Sequence, residues 1–342
     1  MTRNKHILII RLSALGDVAM SIPAIYSAAL AHPDCRMTVL TKPFFRRLFV
    51  NCPSNIDFIL FDDKRHKGAL GLLRLIWQLH KMHFTHVADL HNVLRSWVID
   101  ASFILTFKKV RMLSKNRKER ISLLKGKGDE RRQMLRPFVL RYRDVFARLG
   151  IDAEPMITSL PANGQNPLPA YHGEKGGCSW VGVAPFARYT TKTYPLDQMQ
   201  SVVSHLAEYP NVRVFLFGGK ADQPVLKEWE AMSERILCVA GTMPLEQELA
   251  LMSRLDVMIS MDSANQHMAA LVGTKVLSIW GGTTPHCGFK AWQQSMETSL
   301  WADLPCQPCS IAGTPQCPNG NLMCMRQLSP AEVVTMTLNM LC

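Results

Sequence analysis

Two doubly wound α/β domains, each built on a parallel sheet and both facing one cleft, are what this 342-residue sequence predicts. Three observations predict them. Short apolar strand-like runs alternate with helical stretches, once in each half of the chain, which is the pattern of a parallel sheet with crossover helices. The halves are parted by residues 152 to 177, DAEPMITSLPANGQNPLPAYHGEKGG, whose Pro, Gly and Asn content reads as an interdomain connection. Each half also carries an acid in a strand-to-helix turn, LSALGD ending at Asp17 and MDSA beginning at Met261. In open α/β sheets ligands sit outside the carboxyl ends of the strands, where helix N-termini aim free N–H groups at negative charge.

In the first half, the β-branched and leucine-rich run His6 to Arg11 predicts a strand, and Gly16-Asp17 opens an apolar helix from Val18 to Leu30. Further strands are expected at Arg36 to Thr41, Asp57 to Phe61, His86 to Leu90 and Lys109 to Leu113, with helices near 68 to 82 and 130 to 149. After the connection, strands are expected at Ser179 to Ala184, Val212 to Phe217, Ile236 to Val239, Asp256 to Met261 and Lys275 to Trp280. Helices near 196 to 208, 224 to 234, 245 to 254 and 264 to 272 separate them. The domain reading is 1–160, a linker at 161–178, a second domain at 179–325 and a C-terminal helix at 326–342.

Composition agrees: 47% apolar and 19% charged residues are enough for two cores, with no disordered tract. Arg3 and Lys5 precede an apolar stretch, but Arg11 and Asp17 interrupt what an export signal would need to keep apolar. The uncharged run Val18 to Leu30 falls short of the roughly 20 residues that span a bilayer, so the expectation is a soluble, cytoplasmic chain. The net charge of +12 is concentrated between Lys108 and Arg148, where fifteen Lys or Arg face four acids. Such a block is either a solvated basic helix pair or a surface for an anionic membrane, a phosphorylated glycolipid or nucleic acid. Only Phe138, Tyr142 and Phe146 interleave it, which weakens base stacking as its purpose.

The turns limit the chemistry. Only one glycine lies between Arg11 and Asp17, so a dinucleotide fingerprint is absent and a nicotinamide enzyme is disfavoured. Asp17 reads either as the N-cap of a helix beginning at Val18 or as a general base for a hydroxyl. Asp262 reads either as an N-cap or, with Ser263 and with His267 one turn on, as part of a helix N-terminus that receives a diphosphate. FARYTTKTYP, residues 186 to 195, offers Arg188, Thr190, Thr191 and Lys192, and a lysine at the cleft mouth can neutralise a departing nucleoside diphosphate.

Taken together, LSALGD, the Lys192 loop followed by Tyr-Pro, AGTMPLEQELALMSRLDVMISMDS, HMAALVGT and IWGGTTP resemble the glycosyltransferase family 9 heptosyltransferases of lipopolysaccharide core synthesis over nearly the whole chain. The resemblance implies a GT-B fold of two Rossmann-like domains and inverting, metal-independent transfer of a heptose from a nucleotide-activated donor, usually ADP-linked. It also implies that Asp17 is the catalytic base, Lys192 the phosphate-binding lysine, and Asp262, Ser263, Ala264 and His267 the donor-binding turn. Gly16 accompanies Asp17, while Asp222 and Met243 fall near nucleoside-contacting positions. Family members often have Gly after the Asp-Ser or Asp-Thr pair, where Ala264-Asn265 stand here.

Cys306, Cys309, Cys317 and Cys324 form CxxC-x7-C-x6-C in a Pro- and Gly-rich segment, which suggests a structural zinc site, with reduced cysteines as the alternative. The reading is thus a glycosyltransferase at the inner face of the cytoplasmic membrane that needs no cofactor for catalysis. Its donor, ADP-heptose, is expected on the C-terminal domain. Its glycolipid acceptor is expected on the N-terminal one, drawn in by Arg117, Lys118 and Arg120 of the basic block. The competing reading is a non-catalytic nucleic-acid or anionic-lipid binder using segment 108–148.

Overall fold

The computed structural model describes residues 5–126, 128–156 and 174–341. Most of the expected connection, residues 157–173, lies outside them. In chain order the first sheet's elements are β1 (His6–Ile10), α1 (Leu15–Ala31), β2 (Arg36–Thr41), α2 (Pro43–Arg46), β3 (Ile56–Leu60), α3 (Gly68–Lys81), β4 (His86–Asp89), α4 (Leu94–Leu105) and β5 (Lys109–Met112). After them come α5 (Arg117–Lys125) and α6 (Phe138–Ala147). The second sheet's elements are β6 (Ser179–Ala184), α7 (Leu196–Glu208), β7 (Val212–Leu216), α8 (Gln223–Glu230), β8 (Ile236–Cys238), α9 (Leu245–Met252), β9 (Val257–Met261), α10 (Ala264–Leu271), β10 (Lys275–Ile279), β11 (Ser299–Leu300), α11 (Met323–Arg326) and α12 (Pro330–Leu341).

The chain divides into two compact units. The first holds a five-stranded sheet in the order β3-β2-β1-β4-β5, every pairing parallel. Its central strands β1 and β2 are β-branched and leucine-rich runs buried on both faces, as parallel strands covered by helices must be, while β3 and β5 at the edges are more exposed. Leu8, Ile10, Leu40, Phe61, Leu75, Val87, Ile99 and Phe103 make the core between the sheet and α3 and α4. The second unit holds a six-stranded parallel sheet in the order β11-β10-β9-β6-β7-β8. Its core joins Val181, Val183, Val214, Ile259 and Leu277 of the strands to Val202 and Leu206 of α7 and Val333 of α12. The strand order reverses at β1/β4 in the first unit and at β6/β9 in the second, and these switch points are where open α/β sheets place ligands.

Three features differ from expectation. The helix expected over 130–149 is broken: residues Gly128–Arg132 form a 3₁₀ turn and α6 starts only at Phe138. Pro137 explains the break, because it pushes the residue before it out of the helical region. Helix α4 was not expected, because its pattern is inverted: Ser96, Asp100 and Phe103 face inward while Leu94, Trp97 and Leu105 face solvent. The basic block is also divided. Lys108 to Lys115 and Phe138 to Arg148 belong to the first unit, whereas Asn116–Pro137 belongs to the second. There Leu123 and Leu135 pack with Cys287 and Ile311, the Leu135 N–H donates to the His286 carbonyl at 2.9 Å, and Arg132 pairs with Asp303 at 2.5 Å. Arg117, Lys118 and Arg120, on α5, therefore sit on the unit opposite to the one expected to receive the acceptor.

Candidate active site

At the carboxyl end of β1 the chain turns through Ser13-Ala14 into α1, whose N-cap is Ala14. The helix starts earlier than expected, so Asp17 stands inside its first turn and not at the cap. Its Oδ2 accepts the Ala14 N–H at 3.3 Å and pairs with the buried Arg11 guanidinium at 2.5 Å. Arg11 is itself anchored by donating to the Leu90 carbonyl at the end of β4. Both contacts fall on Oδ2, and the Asp17 side chain is 29% exposed. Beside it, His91 Nε2 meets the Ser13 hydroxyl at 3.0 Å. Burial, and then the nearby Arg11 charge, bring His91 down to about 4, so it is neutral at ordinary pH.

Behind this edge lies a buried acidic pair. Asp89 accepts the N–H groups of His91 and Asn92 and the Ser96 hydroxyl, at 2.8, 2.9 and 2.7 Å, which holds the β4–α4 turn. Burial, and then the Asp89 charge, push the Asp100 carboxyl up and keep it protonated.

The second unit gathers Lys192, Asp262 and Thr283. The Lys192 ammonium pairs with Asp262 Oδ2 at 2.8 Å, the Thr283 hydroxyl donates to that same oxygen at 2.7 Å, and the Gln266 amide donates to Oδ1 at 3.2 Å. Asp262 is buried, and Ser263, not Asp262, is the N-cap of α10. Ser263 makes no side-chain cap hydrogen bond to the first turn of this helix. His267 is buried one turn into it. Lys192 follows β6 and Asp262 follows β9, neighbouring strands at the switch point.

The Lys192 loop is braced by Gly281-Gly282 and by the segment after Asp303. The Gly282 N–H donates to the Thr191 carbonyl at 2.6 Å, and a Cβ at Gly281 would meet that carbonyl oxygen at 2.5 Å. The glycines of IWGGTTP are therefore required for this close approach. Thr191 Oγ1 donates to the Thr314 carbonyl at 2.7 Å and Thr190 Oγ1 to that of Pro315. A Cβ at Gly313 would meet the Lys192 stem at 2.5 Å.

The remaining expected residues are placed less closely. Arg188 is exposed over the Tyr189 ring. Asp222, the N-cap of α8, accepts the Gly219 N–H at 2.8 Å, and Met243 is half-buried before α9. Gly16 lies in the first turn of α1 and Ala264 in that of α10. Thr284, next to Thr283, lines a hollow of about 420 Å³ together with Arg131, Arg132, His286 and Trp301. Arg11, Thr283 and Gln266 were not singled out from sequence. Thr283 lies in a motif that could have pointed to it, but nothing in one sequence pairs Arg11 with Asp17.

Two of the four clustered cysteines, Cys309 and Cys324, are raised by burial and then by their neighbouring cysteines. Burial, and then Cys309, Cys306 and Cys317, push Cys324 up to about 12. Burial would raise Cys317 as well, but the backbone amides of Leu322, Asn319, Asn321 and Gly320 outweigh it and bring that thiol down. Among the described residues, no group of three or more Cys, His, Asp or Glu is arranged to hold a metal ion.

Comparison with known proteins matches these features to one family. The chain is 26% identical over 337 residues, 96% of its length and 95% of the relative's, to lipooligosaccharide heptosyltransferase 2 of Campylobacter jejuni. The family 9 glycosyltransferase of Veillonella parvula superposes with a TM-score of 0.75 at 17% identity, over 100% of this chain and 98% of that one. The ADP-heptose lipopolysaccharide heptosyltransferase II of E. coli superposes with a TM-score of 0.70 at 14% identity, over 98% of each chain. Both likenesses show the GT-B fold. The model of glycosyltransferase family 9 (heptosyltransferase) matches residues 72–318, which run from α3 through the Lys192 loop, α10 and the glycine pair, and the chain therefore belongs to that family.

Proposed function

We propose that this family 9 enzyme transfers a heptose from ADP-heptose to a hydroxyl of the lipopolysaccharide core or a related glycolipid, with inversion and without a metal at the reacting atoms. The observation that carries the reading is the convergence of Lys192, Thr283 and the uncapped start of α10 on Asp262. The donor diphosphate would take the Lys192 ammonium and the α10 amides, while Thr283 and Gln266 keep Asp262 in place. Asp17 Oδ1 would remove the acceptor hydroxyl proton as that oxygen bonds to the anomeric carbon. The bond from that carbon to the diphosphate oxygen then breaks, and its electron pair leaves with ADP. Asp222 and Met243 would contact the nucleoside, and Arg188 and Thr190 the donor's charged portion. Arg117, Lys118 and Arg120 would meet acceptor phosphates from the second unit. Reaction at the inner face of the cytoplasmic membrane fits a glycolipid acceptor.

The cysteine segment is proposed as a structural zinc site apart from catalysis. Three thiols in one loop, a fourth at the start of α11 and the amides directed at Cys317 support it, and ligation would require the side chains to turn toward a common point. The reaction is tested by mass spectrometry of a core acceptor incubated with ADP-heptose, alongside thermal midpoints with ADP, UDP and GDP. Heptose addition and a midpoint rise with ADP above the other nucleotides are expected, about 2.7 kcal/mol at a hundredfold excess over Kd. No addition and no ADP-dependent rise would refute the reading.

A further inference from the structure

Helices α3 and α4 present a surface that water does not favour. They pack on each other beside the sheet, with His80 stacked on Phe103 at 4.4 Å. Leu75, Ile76 and Leu79 of α3 and Ile99 and Phe103 of α4 supply the buried sides. Their outer sides are apolar too. On α3, Leu70, Leu73 and Trp77 recur at helical spacing, with Leu70 84% and Trp77 60% exposed. On α4, Leu94, Trp97, Val98 and Leu105 do the same, with Leu105 80% exposed. Phe107 follows at φ 55, a left-handed conformation uncommon for an aromatic residue, and holds its side chain 98% exposed. Isolated exposed apolar residues are ordinary, but contiguous stripes on two neighbouring helices mark an interaction surface.

The charge around these stripes is predominantly basic, with the exposed Asp63, 3.9 Å from Arg95 of α4, at their edge. Between Lys64 and Lys115 the sequence has ten Lys or Arg and two acids, Asp89 and Asp100. Both acids are buried. Lys81 lies over the Trp77 ring at 3.4 Å and Lys115 over Trp97 at 5.7 Å, so cations stand directly beside the exposed indoles. Lys67, Arg74, Lys108 and Lys109 add to the rim. No helix of the described residues is long and apolar enough to cross a membrane. An apolar stripe with Trp and a basic rim is the composition of an element lying in the headgroup region of an anionic bilayer.

We propose that the outer faces of α3 and α4, with Phe107, dock this chain on an anionic lipid surface. The occupant follows from charge and shape together. A second copy on the same face would bring two basic rims against each other, and a nucleic-acid backbone would gain nothing from Leu70, Leu73, Leu94 and Leu105. A bilayer takes the leucines, Trp77 and Phe107 below its headgroups and offers phosphates to the lysines and arginines. The surface lies wholly in the first unit and is independent of which sugar is moved, so its failure and that of the transferase reading are separable.

The test uses the full chain with vesicles of phosphatidylcholine, with and without phosphatidylglycerol, at 0.15 M salt. Cosedimentation with the anionic vesicles at least about tenfold stronger than with the neutral ones is expected, as is quenching of tryptophan fluorescence by brominated acyl chains. Trp77→Gln with Phe107→Ser should weaken vesicle binding at least about tenfold, from the lost apolar insertion, and leave the thermal midpoint and its response to ADP unchanged. No binding above the neutral-vesicle background, no quenching in the unaltered protein, or undiminished binding by the double variant would each overturn the proposal. So would a dimer in solution that the double variant dissociates while vesicle binding persists.

Discussion

Asp17 carries two constraints in one carboxylate. Oδ2 holds the buried Arg11 and the first turn of α1, and under the proposed mechanism Oδ1 is the base. Asp17→Asn keeps an acceptor for the Ala14 N–H but removes both the base and the charge opposite Arg11. Turnover should fall by about 10² to 10⁴. Stability should fall by about 1 to 3 kcal/mol, because the guanidinium stays buried without its counter-ion. Steady-state kinetics with a urea melt check both, and turnover near the unaltered level would remove Asp17 from catalysis. Lys192→Ala also strips a partner from a buried carboxylate, but Thr283 and Gln266 still bind Asp262. Turnover should drop by about 10² to 10³ with weaker ADP binding, as expected for a group whose interaction grows with charge on the leaving diphosphate. Calorimetry with ADP and single-turnover rates measure the two effects, and no change in either would exclude the lysine from the site.

Among the elements, the segment from Asp303 to Met325 matters because it is a brace. Through Thr314, Pro315 and Gly313 it holds the Thr190–Lys192 turn, and Cys309 donates its N–H to the Gly282 carbonyl at 3.0 Å. If the four thiols bind zinc, protein purified under reducing conditions should carry close to one equivalent, and a chelator should lower both its thermal midpoint and its affinity for ADP. Plasma emission analysis showing no metal would leave four reduced cysteines. Helix α4 has a different character: Ser96 and Asp100 share its inward face with Ile99 and Phe103, while its outward face carries Leu94, Trp97, Val98 and Leu105. The reason is the Asp89–Ser96–Asp100 cluster, which spends that helix's buried side on fixing the β4–α4 turn behind His91.

Across the molecule, five histidines lowered by burial each make acid destabilising for their share of the stability. His6, His66, His86, His91 and His286 all have folded values below the ordinary 6.5, and burial is the largest cause in each. The unfolded chain then binds more protons than the folded one in the window below 6.5, so stability is fully present above it and is lost as pH falls. For His91 the loss continues to about 4. Asp100, raised by burial, works in the other direction, its contribution being greatest at low pH and lost as pH rises. Glu248, raised by burial to about 7, works in the same direction as Asp100, so the histidine share has to be read from a histidine variant. His91→Gln should flatten the fall of the thermal midpoint between pH 6.5 and 4, and an unchanged slope in differential scanning calorimetry would show that His91 does not drive it.

Two parallel sheets were legible in the sequence because their strands are short runs of Val, Ile and Leu separated by helix-length stretches, a local pattern that burial on both faces imposes. The strands at Arg36–Thr41 and Ser179–Ala184 and helix α7 at Leu196–Glu208 appear where periodicity put them. Asp17, Lys192 and Asp262 could be singled out because each lies in the connection from a β-run to the next helix or at its start, which is a one-dimensional signal. Tertiary structure alone decided what those residues touch. Arg11 reaches Asp17 and Thr283 reaches Asp262 only because side chains distant or unremarkable in sequence end at the same strand edge. The division of the basic block at Lys115 and Pro137 was equally hidden, since charge density cannot say that Leu123 and Leu135 pack with Cys287 and Ile311. Periodicity reports which face of an element is buried, whereas the partner against which it is buried is a property of the folded chain.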